Sequence, residues 1–415
     1  MEQTLHHELL TRFHSKLNSI MRLYLDTCAR CGVCIQSCHV YASMPELKYT
    51  AVHRAEVIRK LFKRYFKAQG KFWPSLGESA DLTDDMVDTI YQTAFSCTGC
   101  RRCMVHCPFG IDTQMIMSIA KDLLISAGRE PKVLSMLADM SIAKGKSTTE
   151  TRANFAQAVD RLRDEVLARW RQAHGEKAVP LEAEDANILY VALAGKHSIV
   201  PAAAIMNAAG EKWSLSYYEA VNFGAFVGNA EKTRIIAQRI IDEAVRLRVK
   251  EVSICECGTA YRVMRHMMGT LPFKVTSFIE VIARYLREAR IKLAKGRIAG
   301  RVTYHDPCQL GRNGGVIEDP RFILSYLTDD FVELQPNRAE NWCCGGGGGL
   351  VAIGEKDFRI RSARVKAEQI KAASPDIVCT ACENCHTQLS DLVGHYKINA
   401  GVRFLTDMVA ESLQE

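Results

Sequence analysis

The chain has 415 residues, 47% apolar and 24% charged, with a net charge of +7. That balance suits a folded protein of two to four domains and excludes long disorder, collagen or coiled coil as the main architecture. Mean hydropathy is −0.08, and the most apolar stretch, 189–209, is interrupted by Lys196 and His197, which argues against a transmembrane segment.

The N-terminal MEQTLHHELLTRFHSKL is charged throughout and lacks the apolar centre of a signal peptide. Helical spacing of Leu5, Leu9, Leu10, Phe13, Leu17, Ile20 and Leu23 predicts a helix over 4–25. A second helix is predicted over 51–67, where Val52, Ala55, Ile58, Leu61, Phe62, Tyr65 and Phe66 form an apolar stripe. Residues 48–71 also hold eight Lys/Arg against Glu56 alone. Arg59, Lys60, Lys63, Arg64 and Lys67 are expected to face outward, either as a solvated face or as a docking surface for anionic lipid or an acidic partner. A Gly/Pro/Ser loop (70–77) precedes helices predicted over 84–93, 113–127 and 131–143, and 148–178 reads as a charged helix. No nucleic-acid recognition motif accompanies the basic residues.

From 187 onward, short apolar runs at 187–194, 251–255, 300–304, 331–334 and 375–379 alternate with helical segments. This alternation predicts an α/β architecture with mainly parallel strands. The two halves of this region read either as a degenerate internal repeat or as a chance similarity between two α/β segments. VTYHDPCQLGR (302–312) aligns with LYVALAGKHS (189–198), WCCGGGG with VNFGAFVG, and DIVCTACENCHTQL (376–389) with EVSICECGTAYRVM (251–264). The expected organisation is α + α/β: an α-helical ferredoxin-type domain (1–147), a linker helix (148–186), a degenerate α/β lobe (187–299) and an intact lobe (300–415).

Sixteen cysteines in a long chain without an export signal point to metal ligation or redox chemistry rather than a disulfide framework. Cys28, Cys31, Cys34 and Cys38 form one run, and Cys97, Cys100, Cys103 and Cys107, followed by Pro108, form another of identical spacing. Three thiolates two residues apart serve three corners of a cubane, and the fourth cysteine ligates the other cluster. The expected sets are therefore Cys28, Cys31, Cys34 and Cys107 for one [4Fe–4S] cluster, and Cys97, Cys100, Cys103 and Cys38 for the second. Zinc sites use paired Cys-x2-Cys units and fit this pattern poorly. His39 stands where proline often follows the fourth cysteine. His39 and His106 are either ordinary loop histidines or hydrogen-bond donors to sulfur.

A further set comprises Cys308, the vicinal pair Cys343–Cys344 with Gly345 to Gly349 behind it, and Cys382-x2-Cys385. Five thiolates exceed what one cubane needs, so either an enlarged cluster or a ligand free for chemistry follows. Cys379-x2-Cys382 is an alternative pairing, set aside because Cys379 falls in a strand-like run. His305 and Asp306 are candidates for orienting protons, and Asp306 equally for capping the loop.

The pattern Cys308…Cys343-Cys344-Gly345…Cys382-x2-Cys385 resembles the cysteine-rich CCG domain of heterodisulfide reductases. With the two ferredoxin runs, nearly the whole chain resembles HdrD/DsrK-like iron–sulfur subunits of membrane redox complexes. LYLDTCARCGVCIQSCHVY and the residues around Glu256-Cys257-Gly258 look most like the TmcB/HmcF/DsrK branch of sulfate reducers. The resemblance implies a third, unusual [4Fe–4S] cluster on Cys308, Cys343, Cys344, Cys382 and Cys385, with Cys344 and Cys382 taking part in disulfide chemistry. It also implies a cytoplasmic protein held at the inner membrane by partner subunits, among them a cytochrome b-type subunit, and a DsrC-like thiol/disulfide carrier. Cys257, repeat-equivalent to Cys382, is expected opposite that cluster as an extra ligand, as a thiol that exchanges with the disulfide, or as a vestigial core cysteine. Cys255 is expected to be buried and inert. One rival expectation is an electron relay for a flavin-linked lactate, glycolate or glycerol-3-phosphate dehydrogenase, the flavin residing on another chain because no flavin motif is present here; a second is a non-catalytic electron-transfer module whose CCG cluster is structural.

Overall fold

The computed structural model describes residues 2–146, 152–169, 178–193 and 196–414. They form two compact units, one of Met1–Ser135, Phe226–Ala230 and Trp342–Lys366, the other of Met136–Ala225, Glu231–Asn341 and Ala367–Glu415. The first unit is therefore not contiguous in sequence. Among the described residues no helix is long and apolar enough to cross a membrane.

The first unit is helical. The helix expected over 4–25 is two helices, Glu2–Lys16 and Ser19–Thr27. The break is local: the Asn18 side chain accepts the Met21 N–H at 2.9 Å and starts a new helix. Thr50 caps Ala51–Phe66 in the same way. That helix buries Ala55, Ile58, Leu61 and Phe62 and packs on Asp84–Phe95 and Thr113–Ser126. Each large apolar side chain so buried contributes about 1.5–3 kcal/mol. Phe66 meets Phe13 edge-on at 5.4 Å.

The basic face differs from expectation. Arg59 is 4% exposed, pairs with Glu56 and donates to the Cys28 carbonyl at 2.9 Å. Carboxylate and carbonyl together compensate the burial of its charge. The outward Lys63, Arg64 and Lys67 bond Glu78 (2.9 Å), Asp81 (2.5 Å) and Asp26 (2.8 Å). Acids distant in sequence thus neutralise much of the patch.

In the second unit, Arg152–Arg169 is helical, and residues 178–186 are turns and irregular chain. The remaining residues of the expected linker helix, 148–151 and 170–177, lie outside the described residues, as does residue 194 of the first expected strand. Eight strands follow: β1 (Ile188–Val191), β2 (Trp213–Leu215), β3 (Glu251–Ile254), β4 (Lys274–Ser277), β5 (Val302–Tyr304), β6 (Phe331–Val332), β7 (Ile377–Thr380) and β8 (Gly401–Phe404). They form two parallel sheets, β2-β1-β3-β4 and β6-β5-β7-β8. The orders are identical when lobe one is laid on lobe two, as the sequence repeat anticipates. β2, β4 and β8 lie outside the predicted strands.

The lobes pack in a pseudo-twofold arrangement. Lys196–Ala208, after β1, packs on Leu405–Glu411, after β8. Phe278–Arg287, after β4, packs on Glu318–Leu327, after β5. Exchanging the lobes maps one contact onto the other. An antiparallel bridge between Leu293 and Leu413 closes the join.

Candidate functional site

In the first unit, both ferredoxin runs take the same backbone path. Arg30 and Gly32 have φ of 55° and 82°, and Gly99 and Arg101, at the equivalent positions, have 68° and 62°. Left-handed residues at alternate positions turn successive N–H groups into one concavity, the geometry that receives an anionic cluster. Cys38 lies with the second run. The Arg54 guanidinium, 2% exposed, donates to Cys38 Sγ at 3.2 Å and also feels Cys97 and Cys103. Burial pushes the Cys103 thiol well up, and Cys100, Cys97 and Cys38 add to it. Cys107 lies with the first run: burial raises Cys34 to about 11, followed by the charges of Cys107, Cys28 and Cys31. Two groups of four thiols therefore exist, Cys28/Cys31/Cys34/Cys107 and Cys38/Cys97/Cys100/Cys103. A neutral thiol is costly to ionise in such places unless iron takes the charge, so the donor sets fit iron–sulfur clusters.

The glycine run belongs to the same unit. Cys343 and Cys344 are each 2% exposed, and the Gly345 and Gly346 amides point at their sulfurs at 3.4 Å. Cys343 Sγ is 3.4 Å from Thr98 Oγ1, and the Arg102 guanidinium lies 3.7 Å from the centre of the Trp342 ring. Gly347 and Gly348 are required here. A Cβ would stand 2.7 Å from Thr98 O and 2.6 Å from Cys97 O respectively. Lys121, buried, donates 2.9 Å bonds to Gly348 O and Phe226 O. Its two acceptors lie in the segments that the sequence repeat pairs with each other.

In the second unit, the remaining sequence-predicted residues gather where strands of both lobes end. Cys257 precedes helix Gly258–His266 after β3, and Cys382 precedes helix Glu383–His395 after β7. The Glu383 N–H donates to Glu256 O at 2.9 Å, and a Cβ on Gly258 would stand 2.9 Å from Leu310 N, in the loop of Cys308. The Cys382 thiol is held below the usual thiol range by its contact with the Cys385 thiol and then by the N–H groups of Cys385, Gly258 and Asn384. Burial, and next the charge of Cys382, push Cys257 up to about 12. So the two thiols are shifted in opposite directions, Cys382 down and Cys257 up. Beside them Glu256 is 4% exposed, accepts from Thr406 at 2.5 Å, and is raised to about 7 by burial. His197 pairs with Glu383 at 3.0 Å.

Asp306 is an anchor: it receives Arg321 at 2.8 and 2.9 Å and the Arg338 N–H at 2.8 Å. His305 Nδ1 lies 3.2 Å from Asn341 Nδ2. Cys379 is 0% exposed inside β7 and Cys255 5% exposed just after β3, each with its thiol raised chiefly by burial. Sequence reasoning missed Arg54, Lys121 and Glu256 as site residues. Arg54 had a signal: it falls on the apolar face of its helix, between Ala51 and Ile58, where a charge needs a buried partner.

Comparison with known families agrees with this chemistry. Residues 24–111 match the 4Fe-4S dicluster domain and 302–390 the cysteine-rich CCG domain. The chain is 26% identical to the Hdr-like menaquinol oxidoreductase iron-sulfur subunit 2 of Archaeoglobus fulgidus, over 95% of this chain and 81% of that one. It is 24% identical to the HdrD chain of the dihydromethanophenazine:CoB–CoM heterodisulfide reductase of Methanosarcina mazei, over 96% of each. It is also 24% identical to the EtfAB:quinone oxidoreductase of Syntrophomonas wolfei, over 89% of this chain and 55% of that one. The chain is an iron–sulfur electron-transfer protein of the oxidoreductase type. It is HdrD/DsrK-like, with a dicluster domain and a CCG domain.

Proposed function

We propose that the protein is the iron–sulfur subunit of a heterodisulfide-reductase-like complex at the cytoplasmic face of a membrane. It exchanges electrons between a cytochrome b-type subunit and a thiol/disulfide partner of the DsrC kind. The observation that carries the reading is the full set Cys308, Cys343, Cys344, Cys382 and Cys385 within the matched CCG domain. The crossed ferredoxin sets would hold two [4Fe–4S] clusters and the five CCG cysteines a third, unusual one, which would supply single electrons. Disulfide reduction consumes two electrons and two protons and yields two thiols. Cys344, Cys382 and Cys257 are the residues assigned to that step. The opposite shifts of the two thiols, Cys382 lowered by its contact with Cys385 and Cys257 raised by burial, support the assignment.

The test is an EPR spectrum of the anaerobically purified protein under thiol oxidation. A paramagnetic signal that appears on oxidation and is lost in Cys344→Ser supports the reading. Its absence in the wild-type protein, with intact ferredoxin-type signals, overturns it. The similarity to an EtfAB:quinone oxidoreductase favours a second reading, a relay without disulfide chemistry, which predicts that absence and copurification with a flavoprotein.

A further inference from the structure

His39 is a buried residue whose ring finds no hydrogen-bond partner among the described residues. Its ring is 2% exposed, yet neither Nδ1 nor Nε2 makes a hydrogen bond. Leaving a buried polar group unsatisfied costs about 1–3 kcal/mol. The ring does have neighbours of a particular kind: one of its nitrogens, Cys100 Sγ and Cys343 Sγ lie within 4.8 Å of one another. The two sulfurs are 243 residues apart in sequence (343 − 100) and belong to different cysteine sets.

Three further contacts fix this meeting point. Thr98 Oγ1 lies against Cys343 Sγ at 3.4 Å, Trp342 is covered by the Arg102 guanidinium, and Gly347 and Gly348 lie on the backbone of Cys97 and Thr98. The residues Cys97–Cys103 and the Cys343 loop are thus built against each other within one unit.

We infer that His39 is a positioning residue at an electron-transfer junction between Cys100 and Cys343. Its ring N–H is directed to sulfur of the iron–sulfur centres that these thiolates hold. The inference rests on reading both cysteine sets as iron–sulfur sites. Centres held by Cys100 and by Cys343 would supply one-electron chemistry, one losing the electron that the other gains, with no bond or proton moved at His39 or the thiolates. An N–H donor to sulfur stabilises the reduced, more negative state, so it raises the potential of the centre it serves. The adjacency also makes the second ferredoxin-type set, which holds Cys100, a direct neighbour of Cys343.

The experiment is an EPR-monitored redox titration of the full-length, cluster-loaded protein, wild type against His39→Leu and His39→Gln. The expected result is a downward shift of one midpoint potential in His39→Leu, smaller in His39→Gln, which keeps an N–H donor. The signals of the two adjacent centres are also expected to be broadened by mutual coupling in wild type and sharpened in Cys343→Ser. If His39→Leu loses its clusters on purification, the His39→Gln titration and the wild-type coupling decide. Unchanged potentials in the histidine variants, or uncoupled wild-type signals from intact centres, would overturn the inference. Failure of the iron–sulfur reading itself is distinct: it would show as wild-type protein without the expected iron or cluster signals.

Discussion

Cys257 and Cys382 hold the same place in the two lobes: each is the last residue before the helix that follows its lobe's third strand, and the amide of Gly258, next to the first, donates to the thiol of the second. A pseudo-twofold that brings equivalent strand ends together makes one crevice of two halves, the usual place for a ligand in open α/β sheets.

For Cys257 the expected outcome of Cys257→Ser is loss of disulfide-dependent electron transfer while both ferredoxin-type centres remain reducible by dithionite. Retention of the ferredoxin-type signals in the variant shows that the fold holds. Full activity would leave Cys257 as a core cysteine of the degenerate lobe.

Crossed ligation gives a prediction of its own. Intact protein should contain about twelve irons, from three four-iron centres. Cys107→Ala should deplete the centre served by Cys28, Cys31 and Cys34, although Cys107 belongs to the second run. Mössbauer counting of the remaining iron, with EPR to say which signal has gone, distinguishes this from loss of the second centre.

The fold was legible where local pattern and tertiary structure agree. The helices at 51–66, 84–95 and 113–126 carry apolar stripes that pack as the spacing demands, and β1, β3, β5 and β7 are short apolar-rich runs buried in the middle of their sheets. β2 and β4 escaped notice because Trp213–Leu215 and Lys274–Ser277 put serine and threonine in the sheet, where only neighbouring strands reveal burial. β8 includes Gly401 and Arg403 at a sheet edge and reads as loop. Arg59 was expected outside because nothing local shows that Cys28 O, 31 residues earlier, accepts from its guanidinium. Likewise no spacing rule reports that His39, Cys100 and Cys343 meet. The equal spacing of the two ferredoxin runs, by contrast, is visible to the eye and corresponds to the same left-handed positions in each loop.

Lys121 offers a test of how the first unit is held together. Lys121→Met would leave Gly348 O and Phe226 O without their shared donor and should destabilise the protein by about 2–3 kcal/mol. Gly228→Ala should act on the same spot, since φ there is 91° and a Cβ would stand 2.4 Å from Lys121 Cβ. Denaturant unfolding of the two single variants and the double variant is the measurement. Effects that add fully would show that the residues are not coupled.

Glu243 sets a pH dependence. It is 4% exposed, bonded to Ser216 Oγ and, at 3.1 Å, to the Tyr217 N–H; Arg246 and Glu182 are the charged groups acting on it. Burial is the largest influence and raises its carboxyl above the usual 4.5. A raised folded value means that the protonated form is favoured by folding. The stabilising contribution is therefore complete below pH 4.5 and is lost as pH rises through the raised value. As pH rises from 4.5 through the raised value, wild-type protein should lose stability relative to Glu243→Gln. Parallel stability curves for the two proteins would count against this.

The glycines that seat Cys343 against Thr98 have a consequence for how the protein is made. The first unit is completed only by Trp342–Lys366, so the second ferredoxin run is finished by chain that is translated 241 residues after Cys107 (348 − 107). At ~5–20 residues per second that is a delay of roughly 10–50 s, during which Cys97, Cys100 and Cys103 are already out of the ribosome without the loop that covers them. The second run's thiols therefore spend that interval without the chain segment against which they are finally packed.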